Sequence, residues 1–189
     1  MTKKELRRVY AEKRRQLTMQ ESVVLDDLVL IQFQQWPLPD LQTLLSYWPI
    51  NEKAEVNTHL MADYLSFRIP GLQLAFPVID MKTNLLKAVA VEEGMEFSQN
   101  AYGIAEPVAG KEIHALDIDA VFVPLLVFDI KGYRVGYGKG FYDRFLSVCR
   151  DDVYKIGFSH FDPVDCIDDI NQFDVPLNLC ITPNKIYEF

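Results

Sequence analysis

The sequence is poor in the residues from which metal centres and covalent frameworks are built. Its 189 residues hold three cysteines and three histidines. Cys149, Cys166 and Cys180 are odd in number and far apart, and no Cys-x-x-Cys occurs. That excludes a zinc ribbon and a thioredoxin-like redox site, and it suits a reducing, cytoplasmic setting. His59, His114 and His160 form no His-x-x-x-His pair, which argues against a histidine-based metal site. Long apolar runs are missing too. The longest, Ala120 to Phe128, is about half of the roughly 20 residues that a membrane-spanning helix needs. No apolar stretch backs the basic N-terminal residues, so a secretory signal is not expected, and Glu5, Glu12 and Glu21 speak against a transit peptide. There is no repeat, low-complexity tract or linker, and one domain over residues 1–189 is expected.

Positive charge is scarce outside one place. The chain has 19 Lys and Arg against 27 Asp and Glu, a net charge of −8. Residues 1–15 alone carry seven bases and two acids, a net of +5, which leaves −13 on the remainder. A broad nucleic-acid surface needs spread positive charge, so no nucleic-acid or membrane partner is expected. A small anion-binding feature in the basic head remains open.

Apolar residues make up 49% of the chain, enough for a buried core without disulfide or metal. Residues 3–17 read as a helix with a thin stripe of Leu6, Val9, Tyr10 and Leu17. Thr18 and Glu21 form a capping box for a second helix starting near Met19. Its expected core stripe is Val23, Val24, Asp27, Leu28, Ile31 and Gln35, and Pro37 and Pro39 end it. Strands are expected at Leu41–Trp48, Leu72–Phe76 (stopping before Pro77), Leu85–Val91, Ala120–Val123, Val153–Phe158 and Asn178–Thr182. Helices are expected at Thr58–Phe67, capped by Asn57, and at Phe141–Cys149. Glu92 to Leu116 reads as loops with one short element. The alternation predicts an α/β fold: three layers, α/β/α, around a largely parallel sheet. No helix shows an obvious unburied apolar face, which leans towards a monomer.

The nine glycines are not evenly spread. Gly132, Gly136, Gly138 and Gly140 fall within nine residues, between an expected strand and an expected helix. Such a backbone turns sharply or lies close to something. Free N–H groups at the following helix start suit phosphate. Arg134 and Lys139 add charged donors, and Asp143 stands where it can face a phosphate-bound Mg²⁺. The spacing matches neither the dinucleotide fingerprint nor the Walker A pattern. On the residues alone, a phosphate loop and a purely structural turn both stand.

The stretch Arg134-Val-Gly136-Tyr137-Gly138-Lys139-Gly140-Phe141-Tyr142-Asp143 resembles the signature of the 5-formyltetrahydrofolate cyclo-ligase family. Further family marks occur in order along the chain: Lys3-x-x-Leu6-Arg7, Glu55-Val-Asn-Thr58, Phe76-Pro77, Tyr102-Gly103-Ile104-x-Glu106-Pro107, Pro124-x-x-x-Phe128-Asp129-x-x-Gly132 and Asp174. The resemblance covers essentially the whole chain. It departs at Asn178, where the family often has an acid.

The resemblance implies a Rossmann-like fold similar to the NagB/RpiA/CoA-transferase type. It also implies ATP- and Mg²⁺-dependent conversion of 5-formyltetrahydrofolate to 5,10-methenyltetrahydrofolate. By the same resemblance, Lys3, Lys4, Arg7 and the loop from Arg134 through Gly136, Tyr137, Gly138, Lys139, Gly140 and Phe141 to Tyr142 would hold the triphosphate. Asp143 and Asp174 would hold Mg²⁺. Glu55 would take the pterin N–H groups, with Leu45 and Tyr102 lining the pocket. Tyr137, Gly138, Lys139, Gly140 and Phe141 are implied to face the folate as well. Trp48 is expected in the core or pocket wall, and the other bases of the head in solvent. Two rivals remain on the residues: a phosphate-binding enzyme of related fold, such as a sugar-phosphate isomerase, and a non-catalytic folate- or nucleotide-binding protein.

Overall fold

The computed structural model describes residues 1–80, 82–83, 85–92, 94–101 and 103–189. The chain opens with two helices, α1 (Lys3–Arg15) and α2 (Met19–Phe33). Each begins at a threonine, Thr2 or Thr18, whose side chain accepts from the amide three residues on, while that residue's glutamate reaches back. Both are capping boxes written Thr-x-x-Glu. The expectation recognised only the second.

There follow β1 (Thr43–Leu45), α3 (Thr58–Arg68), β2 (Gln73–Asp80), β3 (Leu85–Ala90), β4 (Phe97–Gln99), β5 (Ala105–Pro107), β6 (Glu112–Ile113), β7 (Ala120–Val123), β8 (Val127–Phe128), β9 (Arg134–Val135), α4 (Phe141–Leu146), β10 (Tyr154–Phe158), β11 (Leu179–Ile181) and β12 (Ile186–Glu188). Eight strands form the main sheet in the order β12-β11-β10-β7-β1-β2-β3-β6. The five central strands, β11 to β2, pair in parallel. The pairings of β12, β3 and β6 at the two edges are antiparallel. The fold is thus α/β with a mixed, mostly parallel sheet. The β4–β5 and β8–β9 pairs stand apart from it.

Burial follows the period of two. Leu44, Ala120, Phe122, Ile156, Phe158 and Ile181 face one side and pack on Val29, Phe33, Met61 and Leu65 of α2 and α3. Leu45, Val121, Val123 and Cys180 face the other, against Leu86, Leu125, Phe145 and Leu146. Strand β7 is therefore buried on both faces, the reason its sequence is an unbroken apolar run. A third cluster joins Leu6 and Tyr10 of α1 to Val127 and Val135 of the β8–β9 hairpin. Asp129 holds that hairpin's turn, accepting from the amides of Lys131 and Tyr133 at 3.0 Å each.

Two expectations fail for identifiable reasons. On α2 the buried residues are Asp26, Val29 and Phe33, whereas Val23, Val24, Asp27, Leu28, Ile31 and Gln35 are exposed. The helix is apolar on nearly every side, so periodicity did not choose a face. The aromatic cluster of Phe33 with Trp36, Phe122 and Phe158 did. With Met19 84% exposed beside these residues, the ground for expecting a monomer is removed. Strand β2 also runs through Pro77 rather than stopping before it. Ala75 accepts from the Ser46 amide, so odd-numbered residues of β2 face β1. Pro77 faces that side beyond the last β1 residue, where no donor is required. Two residues on, the Ile79 amide meets Glu106 Oε1 at 2.8 Å instead of a strand.

Candidate active site

Strands β1, β2 and β7 lie side by side in parallel, and their carboxyl ends open into one cleft. The chain goes from β1 to β2 on one side and later returns to β7 on the other, so strand order reverses beside β1. Open α/β sheets bind ligands at such a point. Residues just past these strand ends line the cleft: Tyr47 and Trp48 after β1, Pro77 and Ile79 in the outer part of β2, and Pro124 after β7. The cleft encloses about 1180 Å³ of empty space, part of it open to solvent.

The glycine loop forms the facing wall. The β8–β9 hairpin delivers Arg134, the loop Gly136–Gly140 follows, and α4 supplies Phe141, Tyr142 and Asp143, all on the cleft. Gly138 and Gly140 have φ of +88° and +67°, which side-chain-bearing residues rarely adopt. A Cβ at Gly138 would stand 3.3 Å from the Arg7 guanidinium carbon. α4 is six residues long, shorter than the expected Phe141–Cys149, so the backbone dipoles of the loop matter more here than a long helix macrodipole. The Tyr142 hydroxyl is buried and finds no hydrogen-bond partner among the described residues. Burial first, then the Glu55 charge, pushes its phenol far above its usual range.

The basic head reaches this wall. Lys3 and Arg7, one turn apart on α1, both line the cleft. Lys3 Nζ is ion-paired with Asp174 at 2.5 Å, and Arg7 Nε donates to the Gly136 carbonyl at 2.8 Å. Lys4 is exposed and lies outside the lining. Arg134 is almost wholly buried. It donates to the Val175 carbonyl through Nη1 and to Asp143 Oδ1 through Nη2 at 3.0 Å. Burial lowers its pKa, while Asp143 and Asp174 act in the opposite sense.

Glu55 stands at the other end. Its Oε2 accepts from the Ile50 amide at 2.7 Å and its Oε1 from the Tyr137 hydroxyl. Around it lie Tyr47, Trp48, Ile50 and Leu86, an apolar and aromatic wall. Trp48 packs at 4.6 Å on both His59 and Phe97. The cleft thus has a cationic, glycine-lined end with Asp143 and Asp174, and an aromatic wall beside Glu55, with Glu106 a further carboxylate of the lining.

Most of the expected residues converge here: Lys3, Arg7, Glu55, Arg134, the glycine loop, Phe141, Tyr142, Asp143 and Asp174. Leu45 does not. It is fully buried in the core beneath β1, and Tyr47, two residues on, lines the cleft instead. Tyr102 lies outside the described residues. Asn178 is away from the cleft, where its side chain accepts from the Lys155 amide at 2.8 Å. Sequence reasoning missed Lys53, whose ammonium lies 4.4 Å over the Tyr137 ring. It also missed Arg14, expected in solvent but 2% exposed and bonded to Tyr137. The spacing carried that signal, because Leu6, Tyr10 and Arg14 recur every four residues on the buried face of α1.

Among the described residues, no three His, Cys, Asp or Glu side chains gather to hold a metal. Mg²⁺ does not require three, since one or two carboxylates suffice when phosphates and water complete the shell. Asp143 fits that need: Oδ1 has two partners, Arg134 and the Val175 amide, while Oδ2 has none among the described residues. Asp174 lies beside it on the cleft wall. Among the described residues no helix is long and apolar enough to cross a membrane.

Comparison with known proteins identifies relatives of the chain. A 5-formyltetrahydrofolate cyclo-ligase of Mycoplasma genitalium is 39% identical over 70 residues, 36% of this chain and 42% of that protein. That alignment spans about two fifths of the relative's length. The Mycoplasma pneumoniae 5-formyltetrahydrofolate cyclo-ligase is 29% identical over 185 residues, 96% of this chain and 98% of that one. The solved structure of Aquifex aeolicus 5,10-methenyltetrahydrofolate synthetase superposes with a TM-score of 0.75 at 27% identity, covering 100% of this chain and 93% of that one. The model of the 5-formyltetrahydrofolate cyclo-ligase family matches residues 1–183, and the chain belongs to that family.

Proposed function

We propose that this protein closes 5-formyltetrahydrofolate to 5,10-methenyltetrahydrofolate at the expense of ATP. The supporting observation is the joining of two unlike ends in one cleft: glycine loop and cations at one, Glu55 and aromatic wall at the other. A triphosphate suits the first. A flat pterin with adjacent N–H donors suits the second, because a carboxylate accepts two such bonds at once.

The chemistry calls for both ends. A formamide oxygen is a poor leaving group and N10 is a weak nucleophile. In the first step the formyl oxygen attacks the γ-phosphorus, and the bond to the bridging β–γ oxygen breaks, releasing ADP. In the second, N10 attacks the activated formyl carbon and loses its proton, and the carbon–oxygen bond breaks to release phosphate. The protein's contribution is alignment and charge compensation. Arg134, Lys139, Lys3 and Arg7 would face phosphate oxygens, and the loop amides of Gly136–Gly140 would approach them closely. Lys4, exposed on the same helix, belongs to the same reading. Glu55 would fix the pterin edge, with Tyr137 and Phe141 along the rings. Asp143 and Asp174 would hold Mg²⁺, which when bound neutralises charge on the phosphates. A cytoplasmic setting completes the reading and is consistent with three unpaired cysteines.

The test is a coupled assay in which the absorbance of the methenyl product appears together with ADP. ADP release should require 5-formyltetrahydrofolate; uncoupled release, or none, sinks the reading. Lys139→Ala should keep the fold, raise the KM for ATP and lower kcat/KM by about 10- to 100-fold, the loss of one charge-assisted bond.

A further inference from the structure

Arg14 is a buried cation with no carboxylate at hydrogen-bond distance among the described residues. It sits two turns beyond Arg7 on α1. Nη2 donates to the Leu125 carbonyl at 2.5 Å, and Nη1 to the Tyr137 hydroxyl at 3.3 Å. Nε has no partner among the described residues. An apolar residue would extend the Leu6–Tyr10 stripe without the desolvation cost of a guanidinium. The arginine is therefore a poor choice for stability alone.

The direction of each hydrogen bond from Arg14 to Glu55 is fixed. Arginine only donates and stays protonated. The Tyr137 hydroxyl must accept from it, so its single proton goes to Glu55 Oε1. The other Glu55 oxygen accepts from the Ile50 amide. The carboxylate is clamped at both oxygens by protein donors, and each oxygen keeps a lone pair for the cleft. Lys53 above the Tyr137 ring steadies the phenol from the cleft side. Burial and then the Glu55 charge raise the Tyr137 pKa far above its usual range, so the phenol stays a donor.

We propose that Arg14 is a positioning residue for folate recognition, acting through the Tyr137 hydroxyl to orient the Glu55 carboxylate. This rests on the folate reading of the same cleft, but the relay itself can be tested without substrate. In the ligand-free protein, thermal unfolding of Arg14→Met, Glu55→Gln and the double variant should be non-additive. The non-additivity should vanish in the Tyr137→Phe background. Additive effects in the wild-type background overturn the relay.

Steady-state kinetics then address function. Arg14→Met should raise the KM for 5-formyltetrahydrofolate roughly 10- to 100-fold while the KM for ATP moves less than about threefold. Tyr137→Phe should do the same, the pair should be no worse than either alone, and Arg14→Lys should recover part of the loss. Equal rises in both KM values, or a fall in kcat alone, would refute a positioning role. If Arg14→Met does not fold, Arg14→Lys and Tyr137→Phe decide the matter on the same criteria. If the wild-type protein shows no folate-dependent turnover, the proposed function falls, and the unfolding cycle still decides the relay.

Discussion

Removing the Asp143 carboxylate separates what this residue does for the fold from what it does for the reaction. Its Oδ1 accepts from Arg134 Nη2 at 3.0 Å and from the Val175 amide at 3.2 Å. The Arg134 side chain is 5% exposed and that of Asp143 is 29% exposed. Asp143→Ala leaves the buried guanidinium with the Val175 carbonyl as its remaining hydrogen-bond partner among the described residues. Removing one partner of a fully buried pair costs about 3–5 kcal/mol; water at the open side of Asp143 reduces the expectation to about 2–3 kcal/mol. For a chain of this size that is a fall in Tm of roughly 5–10 °C. Arg134→Met/Asp143→Ala removes charge and countercharge together and should return to within about 1 kcal/mol of the wild type. Neither variant should turn over substrate. Urea or thermal unfolding of the three proteins is the assay. A double variant as unstable as the single one, or a single variant as stable as the wild type, would refute the pairing argument.

Gly138→Ala places a Cβ at φ +88° and 3.3 Å from the Arg7 guanidinium. About 1–2 kcal/mol of stability should be lost to the backbone. Because the Arg7 guanidinium must give by a few tenths of an ångström at the loop, the KM for ATP should also rise, and an unchanged KM would count against Arg7 at the phosphate site. Asp119 accepts from the amides of Gln42 and Thr43 and from Arg150 Nη2, at 2.8–2.9 Å. Burial alone would raise its pKa, but the hydrogen bonds from Arg150 and the two amides prevail and hold it below the usual range. A depressed folded pKa means stability that is present above the unfolded value and lost as the pH falls through the folded one. Asp119→Asn should therefore be less stable than the wild type by about 1–2 kcal/mol at pH 7. The gap should close below about pH 4, where the unfolded carboxylate protonates. A gap that stays constant from pH 7 to pH 3 would contradict the assignment.

The α/β layering was readable because β7 is a short apolar run and α2 and α3 carry distinct caps, Thr18 and Asn57. The glycine loop was readable because four glycines in nine residues have few other uses. What was not readable had physical reasons. The face of α2 was hidden by its nearly uniform apolarity, and only the aromatic cluster around Phe33 decides it. The passage of β2 through Pro77 depends on β1 ending two residues earlier in register, a tertiary fact. Short strands such as β4, β5 and β12 owe their existence to partners rather than to pattern. Leu45 is the last residue of β1. Alternation turns it into the core, and the residue two further along, past the strand end, reaches the cleft as Tyr47.

The charge pattern of the chain acquires a local meaning in the cleft. Five cations (Lys3, Arg7, Lys53, Arg134 and Lys139) face four carboxylates (Glu55, Glu106, Asp143 and Asp174) there, in a protein of net charge −8. Two ion pairs among the described residues join these groups: Lys3 with Asp174 and Arg134 with Asp143. These are the carboxylates that fit Mg²⁺, and these cations are among those that fit phosphate. A metal-bound triphosphate presents both signs at once, so it can satisfy each partner of both pairs without leaving a charge buried alone. An anion without the metal would draw Lys3 and Arg134 away from Asp174 and Asp143 and strand the carboxylates. On the proposed function, the ion pairs would favour the metal-neutralised nucleotide over free phosphate anions. That preference would come from paired charges at the site rather than from the net charge of the molecule, which repels any anion.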